Sequence, residues 1–168
     1  MYQPDEHDAV VALSSLPQSD VGAPLPAVFA TEQSLALVYV AAAPELDANS
    51  AFESNELVAA VIFERPRCHI FGPPNDEAFS GHPLAARGLH PYAAFEVHRS
   101  SWLRSLERMN SVHPRHRPAA FASLRHFIFA FHDSTFECIA DGFAVNLQRG
   151  SVASVLKSLL RESSQGAA

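Results

Sequence analysis

His132 and Glu137 are the residues of this chain best placed by spacing to do chemistry together. They belong to the stretch His126–Phe143, HFIFAFHDSTFECIADGF, which reads as a β-hairpin turning at Asp133 and Ser134. Period-two alternation puts Phe127, Phe129 and Phe131 on one strand face, opposite to His126, Ile128, Ala130 and His132. An even-length loop centred on Asp133 and Ser134 pairs Phe131 with Phe136, Ala130 with Glu137, Phe129 with Cys138 and Ile128 with Ile139. In that register His132 lies opposite Thr135 with Glu137 as its diagonal neighbour. An imidazole held by a carboxylate can serve as a general base with its orienting partner, assisted by Asp133, or as a metal ligand with its supporting shell. The same pair can equally be a cross-strand hydrogen bond on a half-exposed sheet face.

Three other groups of residues carry chemical potential. The loop FGPPNDEAFSGHPLAARGL offers Asn75, Asp76, Glu77 and His82 at a strand-to-helix transition, where free backbone N–H groups and short polar side chains bind ligands. Helix punctuation explains much of the same loop: Asn75 as an N-cap, Pro83 as a first helical residue and Gly88 as a stop. From His98 to His126 the chain turns basic, and Arg104, Arg108 and His126 are candidate anion contacts, although complementarity to acids of the same fold or of a second subunit reads the pattern equally well. His113 and His116 flank Pro114 and Arg115 at a spacing from which two imidazoles reach one metal ion, but they lack the glutamate of a His-Glu-x-x-His zinc helix. No cofactor is expected, a transition metal at these histidines being the one alternative. Cys138 falls on the phenylalanine face, where burial suppresses the thiolate, and Cys68 and His69 point to opposite strand faces, so no cysteine nucleophile is expected.

Composition narrows the field. The 168 residues are 48% hydrophobic, sufficient for one core and short for two. The net charge of −6 hides an asymmetry, since no Lys or Arg precedes Arg65 while Asp and Glu recur throughout that third. An acidic balance without Gly-rich, zinc-finger or aromatic-basic signatures argues against nucleic acid. Neither GxGxxG nor GK[ST] occurs, which argues against NAD and ATP, and GxSxG is absent. The N-terminus, MYQPDEHDAV, has no signal-peptide pattern, and no apolar run reaches the length of a membrane span, so the expectation is a cytoplasmic protein without a membrane partner. Two cysteines outside any Cys-x-x-Cys pair fit a reducing compartment. Lys157 as sole lysine amid abundant Ala, Pro and Arg is the usage of GC-rich bacterial genomes.

The elements that must position these residues form a single α+β domain over 1–168. It is expected to have a mixed or largely antiparallel sheet of about five to six strands against three to four helices. Strands are expected at Pro26–Glu32, Ser34–Ala42, Leu57–Glu64, Arg67–Phe71 and in the hairpin. Helices are expected at Trp102–Val112 (capped by Ser100 or Ser101), after Pro118 to Leu124, after Pro83, and after Ser151, where Val152, Val155, Leu156, Leu159 and Leu160 form an apolar stripe. Residues 1–25 are expected to be poorly defined, 44–56 to form a connection and 163–168 to fray. The function reading is a non-catalytic binding module for a partner protein or a small ligand, anions included. The alternative is a small hydrolase or isomerase using His132 and Glu137, and a third reading is a self-associating structural protein, with a homo-oligomer as its consequence.

Overall fold

The phenylalanine face of the hairpin needs an apolar layer of its own size, and a second sheet supplies it. The computed structural model describes residues 2–42 and 56–165. Nine strands run as β1 (Ala9–Ala12), β2 (Ala27–Ala30), β3 (Leu35–Val40), β4 (Glu56–Glu64), β5 (Cys68–Gly72), β6 (Ala93–His98), β7 (Arg125–Ala130), β8 (Thr135–Ala140) and β9 (Gly142–Gly150). Two α-helices join them, α1 (Ser101–Asn110) after β6 and α2 (Val152–Gln165) after β9. The strands make two antiparallel sheets, a five-stranded one ordered β1-β6-β7-β8-β5 and a four-stranded one ordered β2-β3-β4-β9.

The sheets meet face to face. Leu35, Leu37, Tyr39, Val61 and Phe63 of one interdigitate with Phe127, Phe129, Phe131, Phe136 and Cys138 of the other. On the far face of the four-stranded sheet α2 packs Val155 against Val38, Val58 and Ala60, which is why β3 is buried on both faces and reads as an unbroken apolar run. The far face of the five-stranded sheet is covered by α1 through Trp102 and by two 3₁₀ turns, Phe79–Gly81 and Ala85–Arg87, through Phe79 and Leu84. The order of layers is therefore helix, sheet, sheet, helix.

The architecture corrects several expectations. One sheet of five to six strands becomes two sheets with nine strands, and three to four helices become two among the described residues. The segments after Pro83 and Pro118 make only 3₁₀ turns, Ala85–Arg87 and Pro118–Phe121, with Gly88 (φ 97°) ending the first as its left-handed stop. The segment expected to be poorly defined, 1–25, is ordered over its described residues 2–25: β1 pairs with β6, and Asp8 accepts the amide of Ser101 at 2.6 Å. The tail is helical through Gln165, and 166–168 lie outside the described residues, as does most of the 44–56 connection. Cap and start of α1 hold, with Ser100 Oγ accepting the amide of Leu103 at 3.2 Å.

The hairpin register is shifted by two residues from expectation. Phe129 faces Phe136, Ile128 faces Glu137 and Phe127 faces Cys138, so Phe131–Ser134 forms the loop, closed by Phe131 N–H donating to the carbonyl of Ser134 at 2.9 Å. An even shift leaves every side chain on its expected face while changing its neighbours. On α2, Val155 is buried whereas Leu160 is half exposed, which narrows the expected stripe. Val155→Ala is expected to cost about 2 kcal/mol in urea unfolding and Leu160→Ala less than about 0.5 kcal/mol. No helix among the described residues is long and apolar enough to cross a membrane.

Candidate functional site

Glu137 points away from the phenylalanine core because its neighbours Phe136 and Cys138 point into it. Beneath α1 its carboxylate collects three donors from distant parts of the chain. His82 Nδ1 accepts the amide of Leu84 at 3.1 Å, so the hydrogen-bond network places the ring proton on Nε2, which donates to Glu137 Oε1 at 3.1 Å. Ser100 Oγ accepts the amide of Leu103 and directs its proton to His126 Nδ1 at 2.9 Å, because the ring proton is needed on Nε2, which faces the carboxylate. His126 Nε2 then donates to Glu137 Oε2 at 3.0 Å. Tyr2 donates its hydroxyl to the same Oε2 at 2.8 Å, its ring stacked on Trp102 and edge-on to His126.

Glu137, His82, His126 and Ser100 are all buried. Burial pushes the Glu137 carboxyl upward, but the hydrogen bonds it accepts from His126 and His82 outweigh it and hold the group at about 2. The Tyr2 hydroxyl moves upward through burial and the Glu137 charge. Every polar atom of this cluster is engaged within the protein, and none of the three clefts described below reaches Glu137, His82 or His126. Its chemistry is that of a clamp. One carboxylate ties the N-terminal arm, the 3₁₀ loop and, through Ser100, the start of α1 to the sheet.

His132 is not part of it. The expected His132/Glu137 pair is absent because the register leaves His132 in the loop, where Nδ1 lies 2.9 Å from Asp133 Oδ1 and Nε2 lies 4.0 Å from Asp76 Oδ2. The Asp133 hydrogen bond and charge raise the His132 pKa. Asp76 accepts the Tyr92 hydroxyl, and that bond holds its carboxyl below the usual range. Asn75 caps the turn by accepting the amide of Ala78 at 3.0 Å, and Glu77 is exposed beside it.

The basic stretch finds partners within the chain: Arg104 bonds Asp5 and Arg125 bonds Glu96, while Arg108 is exposed on the outer side of α1. The Arg104–Asp5 pair is a within-fold complement of the acidic N-terminal third, whereas Glu96 belongs to β6. Arg99, Arg104 and Arg125 line an open groove of about 630 Å³ together with Glu96 and His98. A smaller groove at the end of α1 is lined by Leu106, Met109 and Phe121. His113 and His116 do not converge on a metal: His113 Nδ1 accepts the amide of Arg115, and His116 Nδ1 meets Asn110 Oδ1. Among the described residues no three His, Cys, Asp or Glu side chains are arranged to hold a metal ion. Cys138 is fully buried with its thiol pushed well up, and burial lifts Cys68 to about 11.

A site that the sequence does not single out lies where the two sheets part. Four separate segments enclose a cleft of about 330 Å³: Leu13, Leu16, Pro17 and Gln18 from the link after β1, Tyr39 at the end of β3, His90, Tyr92 and Ala94 around the start of β6, and Phe129 and Phe131 from β7 and its loop. Its size falls in the range of small-molecule pockets, and its walls combine aromatic surface with few polar atoms. Tyr39 donates its hydroxyl to the carbonyl of Pro17 at 2.6 Å, and Tyr92, held at φ 60°, donates to Asp76. Ring and hydroxyl of Tyr92 thus link the cleft to Asp76, with His132 edge-on to the ring. No short motif could have announced the cleft, because no two of its walls are adjacent in sequence.

No protein-family model, curated protein or solved structure matches this chain.

Proposed function

We propose that this protein is a small-molecule-binding module whose ligand seat is the cleft between the sheets. The observation that carries this reading is the cleft itself: about 330 Å³ walled by Leu13, Leu16, Tyr39, Phe129 and Phe131, with hydroxyl, amide and imidazole groups at its margin. A small ligand is favoured over a partner protein because the seat is concave and of ring size rather than a flat apolar face. It is favoured over a hydrolase or isomerase using His132 and Glu137 because those two residues serve different clusters, and Glu137 is buried and already accepts from Tyr2, His82 and His126. It is favoured over an anion site in the arginine groove because Arg104 and Arg125 there already hold carboxylates.

The test is a fluorescence thermal-shift screen of a small-fragment library on the native chain and on Ala94→Phe, which puts a ring into the cleft. Hits at about 100 times their Kd are expected to raise the native midpoint by roughly 5–10 °C. The same hits should leave folded Ala94→Phe unmoved. Hits that stabilise both proteins equally would place binding elsewhere and refute the reading.

A further inference from the structure

Resting on the reading of the cleft as a ligand seat, we infer that its ligand is a neutral aromatic molecule that donates a hydrogen bond through N–H or O–H. Charge is the first ground. Among the described residues no Asp, Glu, Lys or Arg lines the cleft. An ion entering it would lose hydration without meeting a counter-charge.

Shape and wall chemistry are the second ground. Rings from Tyr39, Tyr92, Phe129 and Phe131 surround a space of about 330 Å³. Such walls favour a flat ring system through offset-stacked and edge-on contacts over a flexible alkyl chain, which would also surrender rotamer freedom.

The third ground is the count of free protons. Tyr39 has committed its hydroxyl proton to the carbonyl of Pro17 and Tyr92 has committed its own to Asp76. Each phenol oxygen is therefore left with acceptor capacity only. His90 Nδ1 lies 3.1 Å from the carbonyl of Pro91, which cannot donate, so the imidazole proton sits on Nδ1 and Nε2 is a third acceptor. Among the ring residues of the cleft the polar groups therefore accept rather than donate, and a ligand with N–H or O–H complements them where an acceptor-only analogue does not. Gln18, Ser14 and Ser19 on the link after β1 keep adaptable groups at the mouth.

Four probes separate these grounds: indole, 1-methylindole, naphthalene-2-sulfonate and 1-octanol, titrated into the ¹⁵N-labelled full chain with chemical shifts read at Leu13, Ala94 and Phe131. Indole is expected to bind at least about tenfold more tightly than 1-methylindole, and more tightly than either the sulfonate or the alcohol. That tenfold preference should fall at least threefold in Tyr39→Phe or in Tyr92→Phe, with the fold of each variant checked by its amide spectrum. Equal binding of indole and 1-methylindole, tighter binding of the sulfonate or the alcohol, or a preference unchanged in both tyrosine variants would overturn the ligand class while leaving the cleft as a seat. Failure of all four probes to move the cleft amides would overturn the seat and the ligand class together.

Discussion

Glu137→Gln is expected to lower the unfolding free energy by about 3–5 kcal/mol, the largest loss from any single polar substitution in the chain. The carboxylate is buried and accepts from His82, His126 and Tyr2. A glutamine keeps the shape but replaces one acceptor oxygen with an NH₂ that faces a donor, so at least one buried N–H or O–H is stranded beside another donor. Urea unfolding at pH 7 measures the loss, and a change under about 1 kcal/mol would mean that the clamp is not formed. The same group sets the acid limb of stability. Its folded pKa of about 2 lies below the ordinary carboxylate value, so its contribution is fully present above about pH 4.5 and disappears as pH falls toward 2. That contribution amounts to up to about 3 kcal/mol in the native protein and is missing from Glu137→Gln, whose pH profile should be correspondingly flatter between pH 4.5 and 2.

Phe63→Ala is expected to cost about 3–5 kcal/mol, a large part of the 5–15 kcal/mol typical of a whole domain. Phe63 sits on β4 at the centre of the inter-sheet core and meets four rings: Phe136 at 5.5 Å between centroids, Phe127 and Phe129 at 6.1 Å, and Phe143 at 6.2 Å. Rings held by rigid strands on both sides cannot collapse into the space left behind, so the cavity term adds to the lost transfer energy. Phe71, on the edge strand β5 and 42% exposed, supplies the control, and Phe71→Ala should cost less than about 1 kcal/mol. Similar losses at the two positions in urea unfolding would contradict the face-to-face packing of the sheets.

How far the chain was readable before its structure is clearest in the hairpin. Alternation correctly assigned Phe127, Phe129, Phe131, Phe136 and Cys138 to one face, because faces depend only on parity. It misplaced the register by two, because both a two-residue and a four-residue loop preserve parity, and only the Phe131–Ser134 hydrogen bond selects the longer. That shift is what separates His132 from Glu137 and gives His126 to Glu137 instead. Alternation already placed His126 on the same hairpin face as Glu137 and only the register kept them apart, whereas nothing in the spacing joins His82, 55 positions away, to Glu137. Tyr2 lay in a segment read as undefined, since a short arm with one strand of four residues has no periodicity to detect. The strand β9 was missed for a related reason: at the sheet edge one face meets solvent, and Asn146, Gln148 and Arg149 dilute its apolar pattern. The starts of α1 and α2 were more readable than their ends, Asn110 and Gln165, because caps and helical periodicity are local.

The central claim is that a small ligand sits between the sheets, and intermolecular NOEs from bound indole to methyl-labelled leucine and valine side chains of the native protein test it most directly. The cleft predicts NOEs to the methyls of Leu13 and Leu16, which line it. NOEs confined to Val97, Leu103 and Leu124 of the arginine groove, or to Leu106 at the end of α1, would contradict it.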